Sequence, residues 1–273
     1  MEKLRIAFLG SGSMGGAILS GLLEAGYPKE LISATTKSEE SALAWREQGV
    51  SALSIESTPD ANALIAGDAD LIVLGVKPKQ IVEVLGELAG EVGKNAVIIS
   101  LAAGIELETM AKAIENPNLI RTMPNTPALV RKAVTGIAPA ATASQDAIDA
   151  TVTLFEAIGT AIVVPEEKIN ALSAISGSGP AWIYYFIEQW EKIAIENGFS
   201  QEDAKRMVRG TFDGSIDLLA NSDEEPAQLR RNVTSPGGTT ERIIATFDDA
   251  DLKAIFAKGL SAAVAKAQEL AGK

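Results

Sequence analysis

The chain has 273 residues, of which 47% are apolar, and it carries a formal net charge of −12. This length and composition predict about two domains with filled cores. The acidic balance and the lack of any Lys/Arg cluster argue against nucleic acid as a partner, and no apolar run approaches the roughly 18 residues of a membrane span. The chain has no cysteine and reaches its first apolar run almost at once, which leaves no room for a signal peptide, so we expect a cytoplasmic protein.

The segment from Lys3 to Gly26 predicts a strand, a glycine turn and a helix. The apolar run Leu4–Leu9 stops at the turn, and apolar residues then recur at helical spacing. The turn fits G-x-G-x-x-G, the fingerprint of a dinucleotide-binding βαβ unit, in which the helix N-terminus receives the pyrophosphate. The predicted cofactor-binding residues of the turn are Gly10, Gly12, Ser13, Met14 and Gly15.

The end of the predicted second strand, Leu31–Thr35, bears on the choice of cofactor. NAD-specific units carry an acidic residue here for the ribose 2′-hydroxyl, but this chain reads Thr36-Lys37-Ser38 and has no acid before Glu39. Hydroxyls and a cation suit a 2′-phosphate, so we expect NADPH, with NADH as the alternative. Thr36 or Ser38 can equally cap the next helix, and both roles are compatible.

Further apolar runs predict strands whose ends leave space for a ligand at the carboxyl edge of a parallel sheet. Small or proline-rich segments follow three of them, namely Lys77-Pro78, Ala102-Ala103-Gly104 and Met123-Pro124-Asn125-Thr126-Pro127. The predicted strands are 70–76, 96–101, 119–121, 133–138 and 160–164, and the predicted helices between them are 39–48, 80–88 and 145–157.

After Pro165 the pattern becomes entirely helical. We therefore predict an α/β fold with a Rossmann-type dinucleotide-binding domain at 1–164 and an all-α domain at 165–273. The predicted helices are 168–198, interrupted at 176–180, then 201–221, 226–233, 239–247 and 250–270. The first carries an apolar stripe with more bulk than a helical domain of this size needs to bury alone, so we expect at least a dimer. The stripe residues are Ile183, Phe186, Ile187, Trp190 and Ile193.

One loop in the helical half, Val233–Thr240, combines two glycines with four hydroxyl residues just before a helix. Backbone N–H groups concentrated there make a nest for a carboxylate or phosphate. A simple turn in which Ser or Thr caps the helix is the structural alternative.

The absence of His and Cys excludes ordinary zinc sites and Ser-His-Asp or Cys-His catalysis, so we expect no metal. A Tyr-x-x-x-Lys pair is also absent, because Tyr27, Tyr184 and Tyr185 are followed four residues later by Leu31, Glu188 and Gln189. Reduction of a C=N bond is less demanding, since an iminium already carries its proton and is electrophilic. These absences favour an imine substrate.

The motifs together resemble those of pyrroline-5-carboxylate reductases, and the resemblance covers nearly the whole chain. It is most specific in Met123-Pro124-Asn125-Thr126-Pro127 and Ser235-Pro236-Gly237-Gly238-Thr239-Thr240, in this order and spacing. Further shared segments are the glycine turn, Val76-Lys77-Pro78, Ala102-Ala103-Gly104 and Ser176-Gly177-Ser178-Gly179-Pro180-Ala181.

The resemblance implies NAD(P)H-dependent reduction of 1-pyrroline-5-carboxylate to L-proline. It implies that the loop holds the substrate carboxylate through Ser235, Gly237, Gly238, Thr239 and Thr240, and that the catalytic Thr240 hydroxyl lies near the ring nitrogen. It places Val76, Lys77, Pro78, Ala102, Ala103 and Asn125 on the nicotinamide side. It also implies a dimer with interlocked helical domains, often in a ring of dimers, with the substrate loop of one chain facing the cofactor of the other.

The chain departs from the family pattern at a few positions. Asn170 replaces a usual Asp and Trp182 a usual Tyr. Glu241 replaces an apolar residue, Ile243 a small one and Lys37 a common Arg. Two other functions remain as alternatives. A β-hydroxyacid dehydrogenase would need Lys-x-x-x-Asn, whereas Lys168 is followed by Leu172 at that spacing. A non-catalytic NADP-binding sensor would bind the cofactor without turning over an imine.

Overall fold

The architecture is built on one eight-stranded sheet, which we describe from a computed structural model covering residues 4–270. Each of the first five strands is only four or five residues long. The strands are β1 Ile6–Leu9, β2 Ile32–Thr36, β3 Ser51–Ser54, β4 Leu71–Leu74, β5 Val97–Ser100, β6 Leu119–Met123, β7 Ala133–Pro139 and β8 Gly159–Val163.

The strand order is β3-β2-β1-β4-β5-β6-β7-β8, and the first six of these strands run parallel. β7 is antiparallel to β6 and parallel to β8. The chain therefore reverses its direction of travel across the sheet between β1 and β4. In doubly wound folds ligands bind outside the carboxyl ends of the strands at such a switch point.

Helices cover both faces of the sheet because the inner strands are apolar on both sides. In β1, Ile6 and Phe8 pack into one core cluster, whereas Ala7 and Leu9 pack into the other. The helices of this part are α1 Ser13–Glu24, α2 Glu39–Glu47, α3 Ala61–Ala66, α4 Ile81–Glu87, α5 Leu107–Ala113 and α6 Gln145–Glu156.

Three of these elements were not predicted from the sequence: β3, α3 and α5. β3 has the sequence SALS at the edge of the sheet, so only two apolar residues lie between its serines and no apolar run marks it. α3 and α5 span only six and seven residues, too few for a helical period to stand out.

The rest of the chain is helical, as predicted. The π-helical turn Ser173–Gly177 separates two helices of the predicted interrupted segment, and Pro180 lies in the first turn of the second one. The helices are α7 Ile169–Leu172, α8 Gly179–Glu196, α9 Gln201–Ala220, α10 Pro226–Asn232, α11 Thr239–Asp249 and α12 Leu252–Leu270. Across the described residues, every helix is too short or too polar to pass through a lipid bilayer.

The chain forms two compact units, Met1–Ser178 with Ala263–Lys273, and Gly179–Ala262. The predicted domain ranges, 1–164 and 165–273, divide the chain slightly earlier and stay a prediction. Residues 166–178 group with the sheet because α7 and the π-helical turn pack on β6 and β7. The first three and last three residues of the predicted ranges lie outside the described residues.

Candidate active site

The glycine turn after β1 is a close-packed corner of backbone. Gly10 has φ +85°, a left-handed conformation that favours glycine. A Cβ on Gly15 would lie 2.7 Å from the Gly10 carbonyl oxygen, and one on Gly75 would lie 2.3 Å from it. A Cβ on Gly12 would meet nothing within 4 Å. Gly10, Gly15 and Gly75 therefore set the turn, and Gly12 faces open space where a pyrophosphate can approach.

A chain of hydrogen bonds, buried at its centre, fixes this turn to the neighbouring strand. The Gly10 N–H donates to the Thr35 hydroxyl at 2.9 Å, and that hydroxyl donates to Asn62 Oδ1, also at 2.9 Å. Asn62 Nδ2 donates to Glu87 Oε2 at 2.9 Å. Thr35 is fully buried and Asn62 is nearly so. Thr35 and Asn62 were not predicted as site residues, because no local pattern in the sequence links either of them to Gly10.

The start of α1 is suited to an anion. Its N-cap is Gly12, no side chain caps it, and no acidic residue lies in its first turn. The first N–H groups of a helix have no intrahelical acceptor, and the helix dipole favours negative charge there. Ser13 is exposed and Met14 is half-buried at this end. These features fit a cofactor phosphate, and the contacts of Ser13 and Met14 with the cofactor stay a prediction.

The residues that follow β2 have different surroundings. Thr36 is buried and its hydroxyl donates to the Ser38 carbonyl at 2.8 Å. The Ser38 hydroxyl accepts from the Ser41 N–H at 3.4 Å and is the N-cap of α2, which confirms the capping role for Ser38. Lys37 is exposed. Of the three residues predicted to bind a 2′-phosphate, only Lys37 is charged, and its side chain is exposed to solvent.

The nearest acid, Glu39, is engaged elsewhere. Its carboxylate accepts hydrogen bonds from Arg46 and from the Ser57 hydroxyl. The hydrogen bond from Arg46 holds the pKa of Glu39 below its usual value. Because this carboxylate is bound to Arg46 and Ser57, it is not oriented as a free acceptor for a ribose hydroxyl.

The predicted nicotinamide-side residues of β4 and β5 come together at the same edge of the sheet. Leu9 pairs with Leu74 and Leu74 pairs with Ser100, so the segments that follow β1, β4 and β5 lie side by side. Val76 is half-buried and Ala102 is buried, whereas Lys77, Pro78 and Ala103 are exposed.

Asn125 connects two segments through its side chain. Its Oδ1 accepts from the Val134 N–H at 2.9 Å, and its Nδ2 donates to the Ser176 carbonyl at 3.0 Å. It is 7% exposed. These bonds join the loop after β6 to β7 and to the π-helical turn. The side chain thus has a clear structural role, and its predicted place beside the cofactor stays a prediction.

A cavity of about 300 Å³ lies within the first unit, next to the small residues that follow β5. Arg121 lines it, is 3% exposed, and donates to Glu166 Oε1 at 3.1 Å and to Asn170 Oδ1 at 3.2 Å. Glu166 Oε1 also accepts from the Leu107 N–H at 2.8 Å. Glu166 therefore balances the buried charge of Arg121 and links β6 to the start of α5. The other residues that line the cavity are Ala103, Gly104, Met123, Ile169, Asn170, Ser173 and Ser178, with Ala263, Lys266 and Ala267 of α12.

The predicted substrate loop lies in the second unit. Ser235 and Gly238 close a tight turn through a hydrogen bond from the Gly238 N–H to the Ser235 carbonyl at 3.0 Å. Gly237 has φ +74°, as a type II turn requires after Pro236. Gly238 is the N-cap of α11 and no side chain caps this helix, so capping of α11 by Ser or Thr is wrong.

The hydroxyl residues of the loop flank the start of α11. Ser235 and Thr239 are exposed, and Thr240, the second residue of the helix, is half-buried. The Gly237 N–H donates to Glu241 Oε2 at 2.8 Å. The loop thus presents hydroxyls and backbone N–H groups, and it also places one carboxylate of the chain itself among them.

Comparison with known proteins agrees with both halves of the chain. A family model described as pyrroline-5-carboxylate reductase dimerisation matches residues 166–270, and one described as NADP oxidoreductase coenzyme F420-dependent matches residues 5–104. A pyrroline-5-carboxylate reductase of Methanosarcina acetivorans is 34% identical over 100% of both chains. The chain belongs to the pyrroline-5-carboxylate reductase family.

Other members of the pyrroline-5-carboxylate reductase family are similar over the same extent. The Vibrio alginolyticus reductase is 38% identical over 99% of this chain and 98% of its own. The solved structure of the Coxiella burnetii reductase matches with a TM-score of 0.91 at 34% identity, covering 98% of this chain and 99% of that one. The Plasmodium falciparum reductase, solved with NADP bound, matches with a TM-score of 0.85 at 26% identity and covers 99% of both chains.

Proposed function

We propose that this chain reduces the C=N bond of 1-pyrroline-5-carboxylate to give L-proline, with NADPH as the hydride source. The observation that carries this proposal is the full-length similarity to pyrroline-5-carboxylate reductases, at 34–38% identity over both units. The glycine turn and the absence of histidine fit an imine reductase that needs no imidazole acid or base.

NADPH is proposed over NADH because of the charges after β2. Glu39 is bound by Arg46, and Lys37 is exposed beside it. A 2′-phosphate gains a charge-assisted hydrogen bond from a lysine, whereas a 2′-hydroxyl prefers a free acid. The Plasmodium falciparum structure with NADP bound is consistent with this choice.

The cofactor would be held along the carboxyl edge of the sheet. The N-terminus of α1 would bind the pyrophosphate, and the residues after β4 and β5 would border the nicotinamide. When bound, NADPH supplies the hydride. The residues proposed for these contacts are Gly10, Gly12, Ser13, Met14, Gly15, Thr36, Lys37, Ser38, Val76, Lys77, Pro78, Ala102, Ala103 and Asn125.

The loop before α11 is proposed to bind the substrate. Backbone N–H groups of Gly237 and Thr239, with the Ser235 hydroxyl, would hold the carboxylate beside Gly238, because a helix start stabilises an anion. The Thr240 hydroxyl oxygen would accept a hydrogen bond from the N–H of the ring iminium and orient the C=N bond for attack at C5. The substrate iminium already carries the proton that remains on the product amine, so Thr240 positions the substrate and does not titrate.

Self-association is proposed as a dimer, with a ring of dimers as the larger assembly. Residues 166–270 match the dimerisation model, and α8 exposes large apolar side chains, among them Ile183 at 49% and Trp190 at 41%. Burying such a surface against a second copy removes it from water. Light scattering at micromolar protein should give at least a dimer, and a fully active monomer would exclude this assembly. A cytoplasmic location stays a prediction.

The function is tested by following the loss of NADPH absorbance with purified 1-pyrroline-5-carboxylate. A second assay uses a six-membered cyclic imino acid to measure the preference for ring size. We expect turnover with the five-membered substrate and formation of L-proline. Tight NADPH binding without turnover of either imine would support the non-catalytic sensor instead.

A further inference from the structure

The side chain of Glu241 accepts a hydrogen bond from a backbone N–H of the loop that is proposed to bind the substrate carboxylate. Its Oε2 accepts a hydrogen bond from the Gly237 N–H at 2.8 Å, from the third residue of α11, in the first turn of the helix. The family pattern that this sequence resembles has an apolar residue at this position. The chain therefore places a carboxylate of its own where the loop would receive the carboxylate of the substrate.

Capping alone does not account for this contact. In a capping box the third residue of the helix reaches back to the N–H of the N-cap residue. Here the N–H of the N-cap residue, Gly238, already donates to the Ser235 carbonyl, and Glu241 binds the N–H of the residue before it. That N–H belongs to Gly237, whose left-handed conformation is set by the turn itself. The turn is thus held by its own hydrogen bond, and Glu241 adds a negative charge at its donor face.

We propose that Glu241 is a specificity-determining residue that competes with the carboxylate of the substrate for the Gly237 N–H. This inference rests on the proposed role of the loop. A substrate with a carboxylate has to displace the Glu241 side chain or share its donor, and it meets the repulsion between two like charges at short range. An imine without a carboxylate does not need that donor. Glu241 thus sets the affinity for the imino acid and leaves the affinity for the bare ring unchanged.

Two variants separate the charge of Glu241 from its hydrogen bond. Glu241→Ala removes both, whereas Glu241→Gln removes the charge and keeps an oxygen that can accept the Gly237 N–H. We expect Glu241→Ala to lower the KM for 1-pyrroline-5-carboxylate by about 3- to 10-fold, the size of a single exposed charged hydrogen bond. Glu241→Gln should give a smaller decrease. The kcat should stay within about twofold, because the contact lies at the carboxylate and not at the reacting carbon.

The selectivity is tested with 1-pyrroline, the same ring without the carboxylate. Its KM, or its inhibition constant against 1-pyrroline-5-carboxylate where its turnover is slow, should be the same in the wild type and both variants. A matched control is Glu202→Gln, which removes an exposed acid from the first turn of α9 in the same unit. This control should leave both constants unchanged.

The possible results distinguish this inference from the proposed function. An unchanged or raised KM for 1-pyrroline-5-carboxylate in folded, active Glu241→Ala would overturn the competition and leave the function standing. A lower melting temperature with no change in KM would mean that Glu241 only stabilises the helix start, and an equal change for both imines would also contradict the proposal. Absence of turnover in the wild type would instead refute the proposed function.

Discussion

The backbone N–H of Gly10 donates to the side-chain hydroxyl of Thr35 at 2.9 Å, and this bond fixes the glycine turn to β2. Thr35 is fully buried, and its hydroxyl in turn donates a hydrogen bond to Asn62 Oδ1. The geometry of the proposed phosphate-binding turn thus depends on a residue that need not touch the cofactor.

We expect Thr35→Val to weaken cofactor binding by loosening the turn. The substitution keeps the shape of the side chain but leaves the Gly10 N–H and Asn62 Oδ1 without this partner, which costs about 1–3 kcal/mol of unfolding free energy. Thermal unfolding and the Kd for NADPH measure the two effects. Ser33→Ala is the control, because Ser33 lies on the same strand and its hydroxyl makes only a 3.5 Å contact with the Ile6 carbonyl. Similar losses in both variants would exclude a specific role for Thr35.

Gly75 is expected to tolerate no side chain. A Cβ there would lie 2.3 Å from the Gly10 carbonyl oxygen, so Gly75→Ala must displace the turn. We predict a rise in the Kd for NADPH of about tenfold or more, equivalent to about 1.4 kcal/mol, and a lower melting temperature. Gly86→Ala is the matched control, because a Cβ at this position in α4 would meet nothing within 4 Å. If Gly75→Ala binds NADPH as tightly as the wild type, the glycine turn can accommodate the added methyl group, and this prediction is wrong.

Features of the fold that depend on neighbouring residues could be predicted from the sequence, whereas contacts between distant residues could not. The glycine turn and the long helices α8, α9 and α12 were predicted because apolar periodicity and G-x-G-x-x-G are patterns of adjacent residues. Gly75 was part of an apolar run, and only the packing of β4 against β1 shows why it must be glycine. The contact from Thr35 to Gly10 spans 25 positions, and no spacing rule reveals it.

The substrate loop shows the same limit. Its glycines and hydroxyls indicated an anion nest, which stays a prediction, and the structure shows a turn from Ser235 to Gly238 with the N-cap of α11 at Gly238. The sequence left open whether a hydroxyl caps α11, and the structure excludes it. Glu241 was visible only as a departure from the family pattern. Its bond to the Gly237 N–H depends on a rotamer that the sequence does not specify.

Lys37 should discriminate between the two nicotinamide cofactors. Because Lys37 is exposed and Glu39 is bound by Arg46, Lys37→Ala should raise the KM for NADPH by about 3- to 10-fold and change the KM for NADH less. Lys94→Ala removes another exposed lysine and should affect neither constant. Steady-state kinetics with each cofactor measure the two KM values. An equal rise in both for Lys37→Ala would mean that Lys37 does not bind the 2′-phosphate.

Thr240 is expected to act in the chemical step. Thr240→Ala should lower kcat by about 10- to 1000-fold, since one positioned hydrogen-bonding group at a reacting centre is worth about 2–4 kcal/mol. Thr240→Ser keeps the hydroxyl and should retain most of the rate. The NADPH Kd should barely change in either variant, because the proposed cofactor residues lie in the other unit. If Thr240→Ala loses thermal stability but keeps its kcat, the threonine has only a structural role.

The most direct test of the proposed reaction follows the hydride itself. The enzyme is supplied with 1-pyrroline-5-carboxylate and NADPH that carries deuterium at both C4 positions, and the product is analysed by mass spectrometry. The account predicts L-proline with one deuterium, bound to C5. Oxidation of NADPH without labelled proline, or no oxidation at all, would contradict it.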